Sequence, residues 1–193
     1  AGVPISAAGT LLAGLKRFPV PLLGDLAVSE SIPARATAIE VLAQIGSPGA
    51  ALAAAQDPDP VIRLAALRAL TARRRDVPEA GPLLTRALDD PDPQVRLHAA
   101  RHVGFWKDRA GAEALMQRYE VEPFHEIRDA ILSQVYETVR REGTHYGPTQ
   151  LREHVGAGIQ VFLIARLDHE KPRTRYEVAR ALERLACPEV GRV

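Results

Sequence analysis

The sequence predicts an all-α protein: an α-α superhelix, or solenoid, of about five stacked helical hairpins with no β-sheet. Three observations carry that prediction. The strings "DPDPVIRLAALRAL" and "DPDPQVRLHAARHV" begin at Asp57 and Asp90, thirty-three residues apart, so one unit is written twice. The apolar residues after each turn recur at helical spacing: Ile62, Ala66, Ala69 and Leu70 in one copy, Val95, Ala99 and Val103 in the other. No segment shows the alternating β-branched pattern of a strand. One helical pair cannot bury its own apolar face, whereas a stack of pairs encloses a continuous core between two helix layers.

Bulk composition agrees with a folded chain and narrows its class. Of 193 residues, 46% are hydrophobic and 25% charged, which separates it from disordered sequences. With 25 Lys and Arg against 24 Asp and Glu the net charge is +1, without the basic excess of a dedicated nucleic-acid binder. A single cysteine, Cys187, excludes an internal disulfide framework and a cysteine-based zinc site. The longest apolar run, "GAGIQVFLIARL" at 156–167, falls short of the roughly 18 residues a membrane span needs. The chain opens on "AGVPIS" without a signal peptide. A cytoplasmic location is favoured, with the soluble domain of a membrane-anchored or processed protein as the alternative.

The elements follow in order. A leading helix or cap is expected within 1–19 ("ISAAGTLLAGLKRF"), then helix pairs at 20–46, 47–75, 76–105, 106–141 and 142–188, all within one repeat domain. Five arginines anchor the alignment of the second helices: Arg35, Arg63, Arg96, Arg128 and Arg175, separated by 28, 33, 32 and 47 residues. The last interval is lengthened by "REGTHYGPTQ" at 141–150, read as a loop. Each second helix is preceded by a proline: Pro33, Pro60, Pro93, Pro123 or Pro172. Proline suits a first helical turn because the N–H it lacks would have no partner there. Asp59 and Asp92 stand where a side chain caps a helix start and meets the positive end of its dipole.

The pattern D-P-D-P-x-V-R-x-x-A-A-x-x-x-G resembles the HEAT repeat, particularly the short bacterial HEAT-like repeats also found in phycobilisome lyases. The resemblance covers roughly residues 30–190 and is strongest at 57–104. It implies that the second helix of each pair lines a concave, partner-binding side. It also implies an aspartate–arginine ladder between adjacent repeats, joining Asp59 and Asp92 to Arg63 and Arg96.

On that basis the positions one and five residues after each anchor are expected to face outward. They are Ala36 and Glu40, Leu64 and Arg68, Leu97 and Arg101, Asp129 and Ser133, and Tyr176 and Arg180. Arginine mixed with apolar and aromatic residues is the composition of protein interfaces. Helix-end loops add candidate contacts at Arg73, Arg74, Arg75, Trp106 and Lys107, with Trp106 serving either as an anchor or as packing between repeats. His98 and His102 lie four apart on one helix, but no third ligand stands near them, so no metal site is assigned.

No nucleophile–base pair, phosphate-cradling loop or metal cluster is written in the chain, so neither enzyme activity nor a cofactor is expected. The leading functional expectation is a non-enzymatic scaffold that binds another protein. The alternative is a nucleic-acid-binding repeat protein, similar to the helical-repeat DNA glycosylases, using Arg68, Arg101, Trp106 and Asp129. A bilin-lyase-like role rests on the repeat subtype alone.

Overall fold

The computed structural model describes residues 20–73, 76–106, 109–143, 145, 150 and 158–185. These form ten α-helices and one 3-10 turn, and no strand occurs among the described residues. The helices alternate as first and second members of pairs. They are α1 (Val20–Ala27) and α2 (Ile32–Gln44), α3 (Gly49–Ala54) and α4 (Pro60–Ala72), α5 (Ala80–Ala87) and α6 (Pro93–His102), α7 (Arg109–Val121) and α8 (His125–Glu142), α9 (Gly158–Ile164) and α10 (Pro172–Arg184). The 3-10 turn, Val103–Trp106, follows α6. The expected leading helix at 1–19 lies outside the described residues. The expected loop at 141–150 starts later than its composition suggests, because α8 continues through Glu142, with Val135, Thr138, Val139 and Glu142 all buried along one face.

Local chemistry sets the helix starts. The Asp59 carboxylate accepts from the Val61 amide at 2.8 Å, and that of Asp92 from the Gln94 and Val95 amides at 2.8 and 3.2 Å. Both caps satisfy amides that the first helical turn leaves unpaired, and a proline follows each cap. The end of α2 is closed by Gly46, at φ +96°, whose amide donates to the Ala43 carbonyl. Only glycine adopts that left-handed conformation without strain.

The chain divides into two compact units, residues 1–84 and 85–193. In the first, α1 packs on α2, α2 on α3 and α4, and α3 on α4. Leu23, Ala38, Val41 and Leu42 form a buried cluster there, with Leu26, Ala27 and Ala50 against it. The many alanines permit this close helix approach. In the second, α8 is central: α6, α7, α10 and the 3-10 turn all pack on it, and α9 packs on α7 and α10. Leu115, Ile131, Val135, Ile159, Leu163 and Leu182 are fully buried in that unit.

A recurring clasp closes the turns before the second helices. Arg63 Nη1 donates to the carbonyls of Asp57 and Pro58, both at 2.9 Å. Arg96 does the same to Asp90 and Pro91, at 2.8 and 3.0 Å, and Arg175 to His169 and Glu170, at 2.8 and 3.0 Å. Arg35 reaches the Ser29 carbonyl at 3.4 Å. In four of these turns the first residue also accepts from the amide two residues on: Asp57 from Asp59, Asp90 from Asp92, Glu122 from Phe124, and the His169 ring from Lys171. At Arg35, Arg63, Arg96 and Arg175 the anchor arginine is therefore the buckle of its own turn, six residues after the turn begins.

Candidate functional site

Within each unit the second helices carry a row of outward positions. Five residues after the anchors, Arg68, Arg101, Ser133 and Arg180 are exposed and Glu40 is half-buried. One residue after the anchors the expectation fails in part. Ala36 is 1% exposed and Leu97 is 7% exposed, so neither offers open surface. That position faces the flank where consecutive second helices meet, α2 on α4 and α6 on α8, and an apolar residue there is buried by its neighbour. Leu64 and Asp129 are half-buried, while Tyr176, on the last described helix, is 64% exposed.

Several row residues are tied to neighbours by exposed ion pairs. Arg101 Nη2 lies 3.0 Å from Glu126 Oε1, linking α6 to α8, and Arg180 Nη1 lies 2.8 Å from Glu183 Oε2 on the same helix. Asp129 pairs with Lys171 across to the turn before α10. Solvent-exposed pairs of this kind contribute about 0–1 kcal/mol, so a partner can exchange them at low cost. In the first unit, burial raises the Glu40 carboxyl above its ordinary value, and the positive charge of Arg68 opposes that rise. A raised carboxyl makes its ionised form a net cost to the fold. That cost is absent below the unfolded value and develops as pH rises toward the folded one. The expected result for Glu40→Gln is a higher Tm than the parent at pH 7, with the difference vanishing at pH 3; melts across that range check it.

Among the candidate loop contacts, Arg73 is committed to the fold. Its Nη1 donates to the Gln44 carbonyl at 3.0 Å, closing the end of α2, and its Nη2 lies 2.9 Å from Asp76 Oδ2. Arg74, Arg75 and Lys107 lie outside the described residues, as does the side chain of Trp106. The His98 and His102 rings lie with centroids 4.4 Å apart, tilted by 43°. Among the described residues no three His, Cys, Asp or Glu side chains converge to hold a metal ion.

The ladder differs from the one the resemblance implied. Asp59 and Asp92 spend their carboxylates on helix caps, and the inter-repeat acid is the first residue of the turn. Arg35 Nη2 reaches Asp57 Oδ1 at 3.3 Å, twenty-two residues on. In the second unit Arg96 binds Glu122 through Nε at 2.9 Å and Nη2 at 3.2 Å, and Arg118 Nε adds a third bond at 2.9 Å. Burial pushes the Glu122 carboxyl up, but hydrogen bonds from Arg96, the Phe124 amide and Arg118 outweigh it and hold the group below its ordinary value. Sequence reasoning missed Glu122, although Glu122-Pro123 repeats Asp57-Pro58 and Asp90-Pro91 six residues before an anchor arginine.

Two shallow recesses flank these elements. One, in the first unit, is walled by Gly24, Ala27, Val28, Ile39, Leu42 and Ala53, with Arg35 and Asp57 at its edge. The other, in the second unit, is lined by Tyr119, Glu120, Arg166, Asp168 and His169, with the Arg166 guanidinium over the Phe162 and Tyr119 rings at 3.6 and 4.4 Å. That arginine also pairs with Glu120, which fixes it as a packed structural group.

Comparison with known proteins agrees with this geometry. Residues 50–134 match the family model for HEAT repeats. No curated protein matches the sequence. Among solved structures, an engineered protein determined by the Northeast Structural Genomics Consortium superposes with a TM-score of 0.67 at 20% identity, covering 95% of this chain and 85% of that one. A second engineered protein from the same consortium gives the same score and identity, covering 95% of this chain and 51% of the other. At that identity the likeness speaks for the fold alone. HEAT repeats generally mediate protein–protein interaction, and their solenoid fold is typically non-catalytic. No helix among the described residues is long and apolar enough to cross a membrane. Repeated caps, buckled turns and the helical-repeat neighbours converge on an all-α helical-repeat solenoid, whose residues 50–134 match the model for HEAT repeats.

Proposed function

We propose that the chain is a non-enzymatic protein-interaction module whose second helices supply the binding surface. In the first unit that surface comprises Leu64 and Arg68; in the second it comprises Arg101, Asp129, Ser133, Tyr176 and Arg180. One observation carries the reading: the fifth position after successive anchors projects outward, and three of those side chains are exposed arginines (Arg68, Arg101 and Arg180). Arginine and tyrosine are enriched among residues that dominate interface energetics. Their existing pairs are exposed and weak, so exchange for a partner's carboxylates costs little.

The test is the combined variant Arg68→Glu, Arg101→Glu, Arg180→Glu, compared with the parent in affinity capture from nuclease-treated lysate. A protein retained by the parent is expected to be lost from the variant by at least tenfold, with helicity by circular dichroism unchanged. Normal retention by the variant would sink the assigned surface. A partner that disappears on nuclease treatment would move the assignment to nucleic acid, and binding would then weaken steeply with added salt.

A further inference from the structure

One turn departs from its sisters in linked ways. The described second helices with assigned N-caps begin at Ser31, Asp59, Asp92, Phe124 and Lys171, and only Phe124 is apolar. Phe124, like Ser31 and Lys171, makes no side-chain cap bond; one side of its ring faces the Arg96 guanidinium at 5.7 Å, yet it is 50% exposed, and Val121, just before the turn, is 68% exposed. The buckle differs too. Arg128 stands six residues after Glu122, yet its Nη2 lies 3.2 Å from Nδ1 and 3.4 Å from Nε2 of the exposed His125 ring. Among the described residues no carboxylate pairs with Arg128. The nearby acids are engaged elsewhere: Glu122 with Arg96 and Arg118, Glu126 with Arg101.

An aspartate at 124 would repeat the caps of Asp59 and Asp92; the chain carries an exposed aromatic instead. Such local departures from a fold's own rule concentrate at functional positions. An exposed apolar patch beside a cation is the usual footprint of an interaction site. Phe124 caps α8 with an extended backbone and Arg128 lies in the first turns of the helix, so both belong to the same helix end.

We propose that Val121, Phe124, His125 and Arg128 form a docking point for an acidic segment of a protein partner that carries an apolar side chain close to a carboxylate. The apolar group rests on Phe124 and Val121. The carboxylate accepts from Arg128, whose guanidinium the His125 ring holds in place. This rests on the reading of the chain as a protein-binding module, but on a different surface from the second-helix row.

The experiment is a titration of the isotope-labelled full chain with the blocked peptide glycine–leucine–glycine–aspartate–glycine, followed by amide chemical shifts. Saturable shifts are expected at residues 121–128, and none with lysine in place of the aspartate. Phe124→Asp is expected to weaken the peptide at least tenfold while raising Tm by about 2–4 °C, because it restores the cap. Arg128→Gln is expected to weaken it about tenfold with Tm unchanged. Unsaturable shifts, peptide binding untouched by both variants, or a fall in Tm for Phe124→Asp would overturn the proposal, the last by making Phe124 a packing residue. The pair Arg68→Glu, Arg180→Glu should leave this titration unchanged. Loss of lysate capture by the second-helix variant, with no peptide binding here, would remove this docking point and leave the broader reading standing.

Discussion

Glu122→Ala is expected to be the most damaging single substitution in the second unit, at a cost of about 3–5 kcal/mol. The Glu122 side chain is fully buried, those of Arg96 and Arg118 are 7% and 15% exposed, and three guanidinium nitrogens share its two oxygens. Removing the carboxylate leaves buried Arg96 without an acid and Arg118 with only its 3.5 Å pair to Asp89, and it frees the Phe124 amide, which donates to Glu122 at 3.2 Å. Denaturant unfolding at pH 7 measures the loss; a cost below about 1 kcal/mol would show that water satisfies both arginines unaided. The acid limb supplies a second readout. A carboxyl held below its ordinary value gives stability that is complete above the unfolded pKa and lost as pH falls through the folded one. The parent should therefore lose stability on acidification more steeply than the alanine variant, and the two should converge at low pH.

Gly104→Val follows, at about 2–3 kcal/mol. A Cβ at 104 would lie 2.9 Å from Gln134 Oε1 and 3.2 Å from Thr138 Oγ1, both on α8. The Gln134 amide can swing aside, but Thr138 is buried and its hydroxyl bonds the Gln134 carbonyl at 2.9 Å, so it yields little. Valine adds two further methyls to the same seam and displaces Arg141, whose Nη2 donates to the Gly104 carbonyl at 2.7 Å. Gly24→Ala and Gly49→Ala are the controls, since nothing lies within 4 Å of either position. Both sit in helices, where alanine is favoured over glycine, so equal or higher Tm is expected. A neutral Gly104→Val would mean that the 3-10 turn separates from α8 without loss.

The two predictions mark where sequence reading succeeded and where it stopped. The motif exposed the caps and the anchor arginines, because each answers a local requirement, an unpaired amide or a turn carbonyl; the close approach of Gly104 to α8 depends on distant packing and was not read from it. It misplaced the ladder, since Asp59 and Asp92 have a nearer use within their own helices. That leaves the first acid of the turn to reach the previous repeat, as Asp57 and Glu122 do for Arg35 and Arg96. The outward row was legible at the fifth position, which is exposed at Arg68, Arg101, Ser133 and Arg180 and half-buried at Glu40. It was not legible at the first, where burial depends on the next helix and so turns on packing across repeats. Phe124 looked like an ordinary residue in a weak copy. Only beside four polar counterparts does its exposure carry meaning.

The turn buckle also bears on how the molecule reaches and keeps its fold. Arg63, Arg96 and Arg175 each close on carbonyls five and six residues behind them, so each turn is completed without help from a distant part of the chain. Contacts of such short sequence separation form early and carry little loop-closure entropy, which favours rapid assembly repeat by repeat. A duplicated unit brings its buckle with it, so growth of the array by tandem duplication needs no rewriting of the neighbours' turns.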